Sequence, residues 1–171
     1  MSTANCSTIL GRVKVAGQKT EQRMNELGVL LPSPSAPPAI YSPWCRVGDL
    51  VRISGQPPYW NGSIRYKGKV GKTLSLLEGR DSARISALNV LAHLRSVCGD
   101  LDRVVCAVHL MVFVNASADF SDVHRVADGA SELLTSIFPH LPPPTRSSLG
   151  CSTLPMGIAT EVEASFLIDA E

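Results

Sequence analysis

The chain has 171 residues, a length that suits one domain of ordinary size. Hydrophobic residues make up 44% and charged residues 18%, which provides for a buried core and excludes a wholly disordered chain. The 16 Lys and Arg residues nearly balance the 15 Asp and Glu residues, whereas a domain that holds nucleic acid by its phosphates carries a clear basic excess. The composition therefore argues against nucleic acid as a partner. The absence of any run of 18 apolar residues argues against a membrane-spanning helix.

The cysteines are odd in number, widely scattered and free of any CxxC pair. They are Cys6, Cys45, Cys98, Cys106 and Cys151. This pattern argues against a structural zinc site and a disulfide framework, and it favours reduced thiols in a reducing compartment. The first 22 residues lack the apolar segment of a secretory signal, so a cytoplasmic location is predicted. Their Ser, Thr and basic residues leave a mitochondrial location as the alternative.

The N-terminal part of the chain is polar and then rich in proline. Residues 1–19 show no periodicity and are predicted to form a flexible tail. Thr20 can cap a short helix that runs to Leu27 and ends at Gly28. Proline lacks an amide donor and has a fixed φ, so the proline-rich stretch that follows is expected to be a stiff connector. We therefore divide the chain into a tail (1–19), a short helix with its connector (20–38) and one domain (39–171).

Strands and helices alternate through the rest of the chain. Two strands are expected on either side of the turn Val47-Gly48-Asp49, followed by a long loop or loose hairpin over 59–77. Residues 80–98 and 120–138 place apolar side chains at helical spacing, with Asp81 or Ser82 capping the first helix and Asp119 the second. The other predicted strands are 104–114, which is valine-rich and interior, 146–151 and 160–168. This order predicts an α+β fold with a mixed sheet and both helices on one face.

The last two predicted strands carry the residues with the clearest chemistry. Period-two alternation puts Glu161, Glu163 and Ser165 on one face, although a solvated strand face would give the same pattern. Arg146 follows a proline run, and its guanidinium is suited to two-pronged recognition of a carboxylate. If the two strands pair as a hairpin, Arg146 lies near Glu161, and a plain salt bridge is the alternative to a binding site.

The stretch Thr145-Arg-Ser-Ser-Leu-Gly-Cys-Ser-Thr-Leu-Pro-Met-Gly-Ile-Ala-Thr-Glu-Val-Glu-Ala164 resembles the signature of the Rid family. These are the YjgF-like reactive intermediate deaminases, also labelled L-PSP endoribonucleases. Further matches are Ile53-Ser-Gly-Gln56, Asp100-Leu-Asp-Arg-Val104 and Asp119-Phe120. Leu27-Gly-Val-Leu-Leu-Pro32 resembles a branch of the family with an extended N-terminus.

The resemblance implies a chorismate-mutase-like α+β fold that assembles as a homotrimer with ligand clefts between subunits. It also implies hydrolysis of 2-imino acids to 2-oxo acids and ammonia without a cofactor or a metal. In that reaction Arg146 would hold the substrate carboxylate, Glu161 would orient water, and Ser54 would line the cleft. Helices that cover one side of a sheet leave the other side for a partner subunit, which agrees with a trimer.

Three candidate site residues depart from the family pattern. Trp44 stands where a tyrosine is expected, Ser148 where a cysteine is common, and His124 where an asparagine is expected. We expect Trp44 and His124 to alter the cleft wall. His109 is expected to lie in the core or an interface and His93 at the surface or its boundary, and neither has clustered partners that would support a metal site.

Two other functions remain open at this point. One is a non-catalytic trimer that binds small carboxylates or acts as an interaction module, since an arginine-lined cleft serves binding as well as turnover. The other is the RNA cleavage of the older family label, against which the near-zero net charge argues.

Overall fold

A computed structural model describes residues 19–169, so nearly all of the predicted tail lies outside the described residues. One large sheet carries two long helices on one face. In chain order the elements are α1 Lys19–Glu26, β1 Trp44–Val47, β2 Leu50–Gln56, β3 Tyr59–Trp60, β4 Ser63–Ile64, α2 Leu76–Cys98, β5 Val104–Asn115, α3 Val123–Ile137, β6 Thr145–Cys151 and β7 Thr160–Ile168.

The five-stranded sheet has the order β1-β2-β7-β5-β6. Only β5 and β6 run parallel in it, and the other neighbours are antiparallel. The last strand, β7, lies in the middle, between β2 and β5. The predicted α+β fold with a mixed sheet is therefore confirmed.

Burial alternates along the strands because α2 and α3 cover one side of the sheet. On β5, Val112 and Val114 are fully buried under the helices, while Met111 and Phe113 on the other side are half-buried. We call this second side the open face. It also carries Leu50 of β2 and Leu149 of β6, which are 41% and 49% exposed and leave apolar surface without cover from the helices.

The helices begin at different residues from those predicted. Helix α2 starts at Leu76, because Ser75 and Glu78 form a reciprocal capping box ahead of the predicted caps. Its predicted end at Gly99 is confirmed, with a φ of 75°. Helix α3 begins after Asp122 rather than after the predicted cap Asp119.

Helix α1 packs onto the rest of the fold. The Asp102 carboxylate accepts hydrogen bonds from the backbone N–H groups of Lys19 and Thr20, both at 2.8 Å, so Thr20 lies inside the helix and does not cap it. Met24 of α1 and Val29 of the connector are 3% and 5% exposed and belong to the hydrophobic core. The division of the chain at residue 38 stays a prediction, but the core includes residues on both sides of it.

The turns follow the positions of the glycines. Gly48 has a φ of 60° in the two-residue turn that joins β1 to β2, as predicted. The predicted long loop over 59–77 contains one short hairpin, formed by β3 and β4.

The cysteines agree only in part with the expected reduced state. Cys45, Cys98 and Cys151 are free thiols. Cys106 is disulfide-bonded, so the expectation of fully reduced cysteines is wrong for this residue. Between residues 19 and 169 no helix is long and apolar enough to cross a membrane.

Candidate functional site

Glu161 is the most unusual ionisable group in the described part of the chain. It lies on the open face of β7 and is half-buried, yet it makes no hydrogen bond or ion pair with any residue between 19 and 169. Burial raises the pKa of its carboxyl group, and the charge of Glu163 raises it further. Glu163, two residues along the same face, instead pairs with Arg52 at 3.0 Å. A desolvated carboxylate without a partner is typical of a functional site.

A cavity of about 320 Å³ opens beside this carboxylate, and we call it the Glu161 cavity. Most of its wall is apolar, and many of the lining residues are prolines. Its lining consists of Ser35, Ala36, Pro37, Pro38, Ala39, Tyr41, Pro43, Gly55, Gln56, Pro57, Pro155, Met156, Ile158 and Glu161. The apolar wall accounts for the desolvation of Glu161, since few polar groups compensate its charge.

Gly55 provides the space that the Glu161 side chain occupies. A Cβ atom built on Gly55 would lie 2.0 Å from Glu161 Oε1, so a larger residue at this position would force the end of the Glu161 side chain to move. The strand is irregular at this point, because the pairing of β2 with β7 shifts register between Ile53 and Gln56. The glycine of the Ser-Gly-Gln motif therefore leaves room for the Glu161 carboxylate in its observed position, a role that sequence reasoning missed.

Ser54 and Trp44 lie near the Glu161 cavity, but the wall itself is formed by their neighbours Gly55 and Pro43. The Ser54 hydroxyl donates to the Ser42 carbonyl at 2.8 Å, and its backbone N–H donates to the Pro43 carbonyl at 2.9 Å. Ser54 thus fixes the connector onto β2. Trp44 is 37% exposed on the edge strand β1.

Arg146 lies at the other edge of the sheet, where β6 meets α3. Its Nη1 donates to Asp128 Oδ1 and to Ser131 Oγ, both at 2.8 Å, and its Nη2 donates to the His124 carbonyl at 3.3 Å. These bonds engage three of the five guanidinium donors, so two donors have no acceptor among the described residues. Asp128 and Ser131 were not singled out from the sequence, although the spacing 124, 128, 131 puts them on one side of a helix.

Ser148 and His124 belong to the same region as Arg146. Ser148 is two residues from Arg146 on β6, so both side chains point to the helix side of the sheet. The His124 side chain is exposed, and it is the backbone carbonyl of this residue that touches Arg146.

A single chain does not bring Arg146 and Glu161 together. Strand β5 lies between β6 and β7, so the expected hairpin of these two strands, with its salt bridge, is wrong. On β5, Arg146 pairs with Leu110 and Glu161 with Phe113. Because positions three apart on a strand face opposite ways, the two side chains lie on opposite faces of the sheet.

His93 and His109 do not line the Glu161 cavity. His93 is 3% exposed, which contradicts the expected surface position, and burial lowers its pKa. His109 is half-buried on the open face, and its Nδ1 lies 2.9 Å from Thr145 Oγ1. No group of three or more His, Cys, Asp or Glu side chains with the arrangement of a metal site occurs between residues 19 and 169.

The fold, the Ser-Gly-Gln motif of β2 and the signature stretch that spans β6 and β7 together define one class of α+β protein. A family model described as "YjgF/chorismate mutase-like, putative endoribonuclease" matches residues 21–158. The chain therefore belongs to the YjgF/chorismate-mutase-like family, and the resemblance found in the sequence is confirmed.

Three relatives show how the chain stands within this fold. It is 36% identical over 151 residues to protein TCP17 of Trypanosoma cruzi, which covers 88% of this chain and 94% of that protein. The structure of Atu1372 from Agrobacterium tumefaciens, a protein of unknown function, is 31% identical with a TM-score of 0.81 and covers 88% of this chain and 94% of that one. E. coli TdcF with bound serine is 23% identical with a TM-score of 0.54 over 81% of this chain and 94% of that one, a likeness of fold alone.

Proposed function

We propose that the protein hydrolyses 2-imino acids, released as reactive enamine or imine intermediates, to 2-oxo acids and ammonia. The observation that carries this proposal is Glu161, a desolvated carboxylate without a partner in the described chain, at the wall of a cavity of about 320 Å³. Neither a cofactor nor a metal is needed, because a protonated imine is already electrophilic.

The reaction needs one water molecule and a group that moves protons. The water oxygen bonds to the carbon of the protonated imine and gives one proton to the Glu161 carboxylate, which leaves a neutral carbinolamine. Glu161 passes this proton to the nitrogen, the C–N bond breaks, and the hydroxyl gives its proton back to the carboxylate as the 2-oxo acid and ammonia form. A carboxyl group whose pKa is raised toward the working pH both accepts and donates protons more readily than an ordinary glutamate. Glu161 orients the water and moves these protons.

Arg146 holds the substrate carboxylate. The contacts from Asp128 and Ser131 keep the guanidinium in one orientation, which lowers the ordering cost of binding. Its two remaining donors are available for a ligand oxygen.

The catalytic site is completed between subunits of a homotrimer. Arg146 and Glu161 lie on opposite faces of one sheet, so one substrate contacts both only if a second subunit supplies one of them. The apolar side chains on the open face support this assembly, because large apolar surface is usually covered in a folded protein.

The test is the rate of 2-oxo acid release when the protein is added to an amino-acid oxidase or dehydratase. We expect Glu161→Gln to lower kcat about a hundredfold or more. Arg146→Ala should lower kcat/KM by about tenfold to a hundredfold, the cost of losing hydrogen bonds from a charged group. Glu163→Gln is the comparison variant: it removes a carboxylate from the same face of β7 and the charge that raises the pKa of Glu161, but it leaves the Glu161 carboxyl in place, so it should keep most of the rate that Glu161→Gln loses. No acceleration by the wild-type protein with any amino acid would refute the proposal.

A binding protein without turnover is the second candidate, and one observation favours it. Arg146, which Asp128 and Ser131 hold in one orientation, can bind a ligand carboxylate with its two remaining donors whether or not the ligand reacts. Calorimetric binding of 2-oxo acids, lost in Arg146→Ala, together with no effect on imine hydrolysis would establish this function instead. RNA breakdown that is unchanged in both variants would point to the endoribonuclease activity of the family description.

A further inference from the structure

We infer that the Glu161 cavity is a subsite for a bulky apolar side chain of the substrate, which makes the preferred substrates imines of leucine-, methionine- or phenylalanine-like amino acids. The inference rests on the proposed function and names its substrate class.

Half of the cavity wall comes from one stretch of the connector, residues 35–43, which we call the proline strap. Three of its prolines, at 37, 38 and 43, line the cavity and have a fixed φ, so this wall is stiff. The strap is also fastened, because Ser54 bonds to the carbonyls of Ser42 and Pro43. A stiff apolar wall binds an apolar group at little cost in conformational entropy.

Met156 forms part of the opposite wall with a strained backbone. Its φ is 56°, in the left-handed region that favours glycine, and its neighbour Gly157 has a φ of 68°. For a residue with a Cβ this conformation costs about 1–2 kcal/mol. The Met156 side chain is nevertheless 55% exposed, so packing within the described chain does not repay this cost. Strain of this kind is characteristic of positions that contact a ligand.

The size and polarity of the cavity fit one apolar side chain beside the reacting carbon. Its polar side chains are Ser35, Tyr41, Gln56 and Glu161, and most of the wall is apolar. A volume of about 320 Å³ lies at the lower end of the range for ligand pockets, roughly 300–1,000 Å³, and suits a molecule of amino-acid size. A methyl or hydroxymethyl group would leave most of this wall without contact.

The experiment compares kcat/KM for imines made from leucine and from alanine by an amino-acid oxidase. We expect the wild-type protein to favour the leucine-derived imine by about tenfold or more. Ala36→Phe fills the cavity and Met156→Gly removes part of its wall, so each should lower the leucine-to-alanine ratio about tenfold. Met156→Gly also relieves the backbone, so its Tm should not fall. Ile40→Phe is the matched control, because Ile40 belongs to the strap, is fully exposed and does not line the cavity.

The outcomes separate this inference from the proposed function. Turnover without preference for leucine, or a ratio that neither cavity variant changes, overturns the subsite and leaves the deaminase standing. If no imine is turned over, the proposed deaminase function is refuted. The subsite is then tested by calorimetry, which compares the binding of 4-methyl-2-oxopentanoate with that of pyruvate. Tighter binding of the branched acid, lost in Ala36→Phe, supports it; equal binding overturns it.

Discussion

At the scale of single residues, two glutamates on one strand face have different environments. Glu163 is balanced by Arg52, whereas Glu161 faces an apolar wall and the backbone of Gly55. Alternation along the strand predicted that both would share a face. It could not predict which carboxylate would be shielded from solvent, because most of the wall comes from residues more than a hundred positions earlier in the chain.

The raised pKa of Glu161 predicts a pH-dependent stability. In the folded chain its carboxyl keeps a proton at pH values where the unfolded chain, with a pKa near 4.5, has lost it. This contribution to stability is therefore present below pH 4.5 and is lost as the pH rises through the folded-state pKa. Glu161→Gln cannot ionise, so its free energy of unfolding should increase relative to wild type from acid to neutral pH.

Urea unfolding of the two proteins across this pH range measures the difference. Glu163→Gln serves as the comparison: it removes the partner of Arg52 and also the charge that raises the pKa of Glu161, so any gain in stability at neutral pH should be smaller than that of Glu161→Gln. Parallel curves for wild type and Glu161→Gln would mean that the carboxyl is not desolvated in solution.

At the scale of elements, the start of α2 shows what a local signal can predict. Ser75 and Glu78 have the spacing of a capping box, which is readable from the sequence. The helix was instead predicted to start at residue 80, because the apolar periodicity was used to place it. The start of α1 was predicted within one residue, at Thr20, but the group that caps it was not readable from the sequence. Its cap, Asp102, lies 83 residues from Lys19 and becomes a neighbour only when the chain folds.

Removal of the α2 cap should destabilise the fold measurably. Ser75→Ala leaves the Glu78 N–H without its side-chain acceptor, which typically costs about 1 kcal/mol. Thermal or urea unfolding measures this loss. Ser96→Ala on the same helix is the control, because Ser96 is exposed and lies far from the helix start, and it should leave the stability within about 0.5 kcal/mol of wild type. Equal effects of the two substitutions would show that the capping box contributes nothing.

At the scale of the whole molecule, the sequence located the proposed site residues through family motifs but not their separation. Arg146 and Glu161 lie close in the sequence, yet β5 lies between their strands, and the register of each strand on β5 puts the two residues on opposite faces. Strand pairing is set by long-range packing, so the position of β5 between β6 and β7 could not be predicted from the order of the motifs in the sequence. The relation between the two residues depends on a partner subunit, which periodicity within one chain does not encode.

A shared site predicts that two inactive variants rescue each other. If Arg146 and Glu161 of one site come from different subunits, every mixed trimer of Arg146→Ala and Glu161→Gln contains one intact site. Co-refolding of equal amounts should then restore about a quarter of the wild-type activity. The control is each variant refolded alone, at the same total concentration, which should stay inactive. A mixture no more active than its components would refute a site shared between subunits.

The central position of β7 has a consequence for how the molecule is made. Strands β1 and β2 form one pair and β5 and β6 another, and β7 alone bridges them. Until Thr160–Ile168 has been synthesised, a growing chain holds two half-sheets with exposed edges and an unfinished core. The last strand therefore completes the sheet, and until it is in place the nascent chain exposes strand edges that are prone to aggregate.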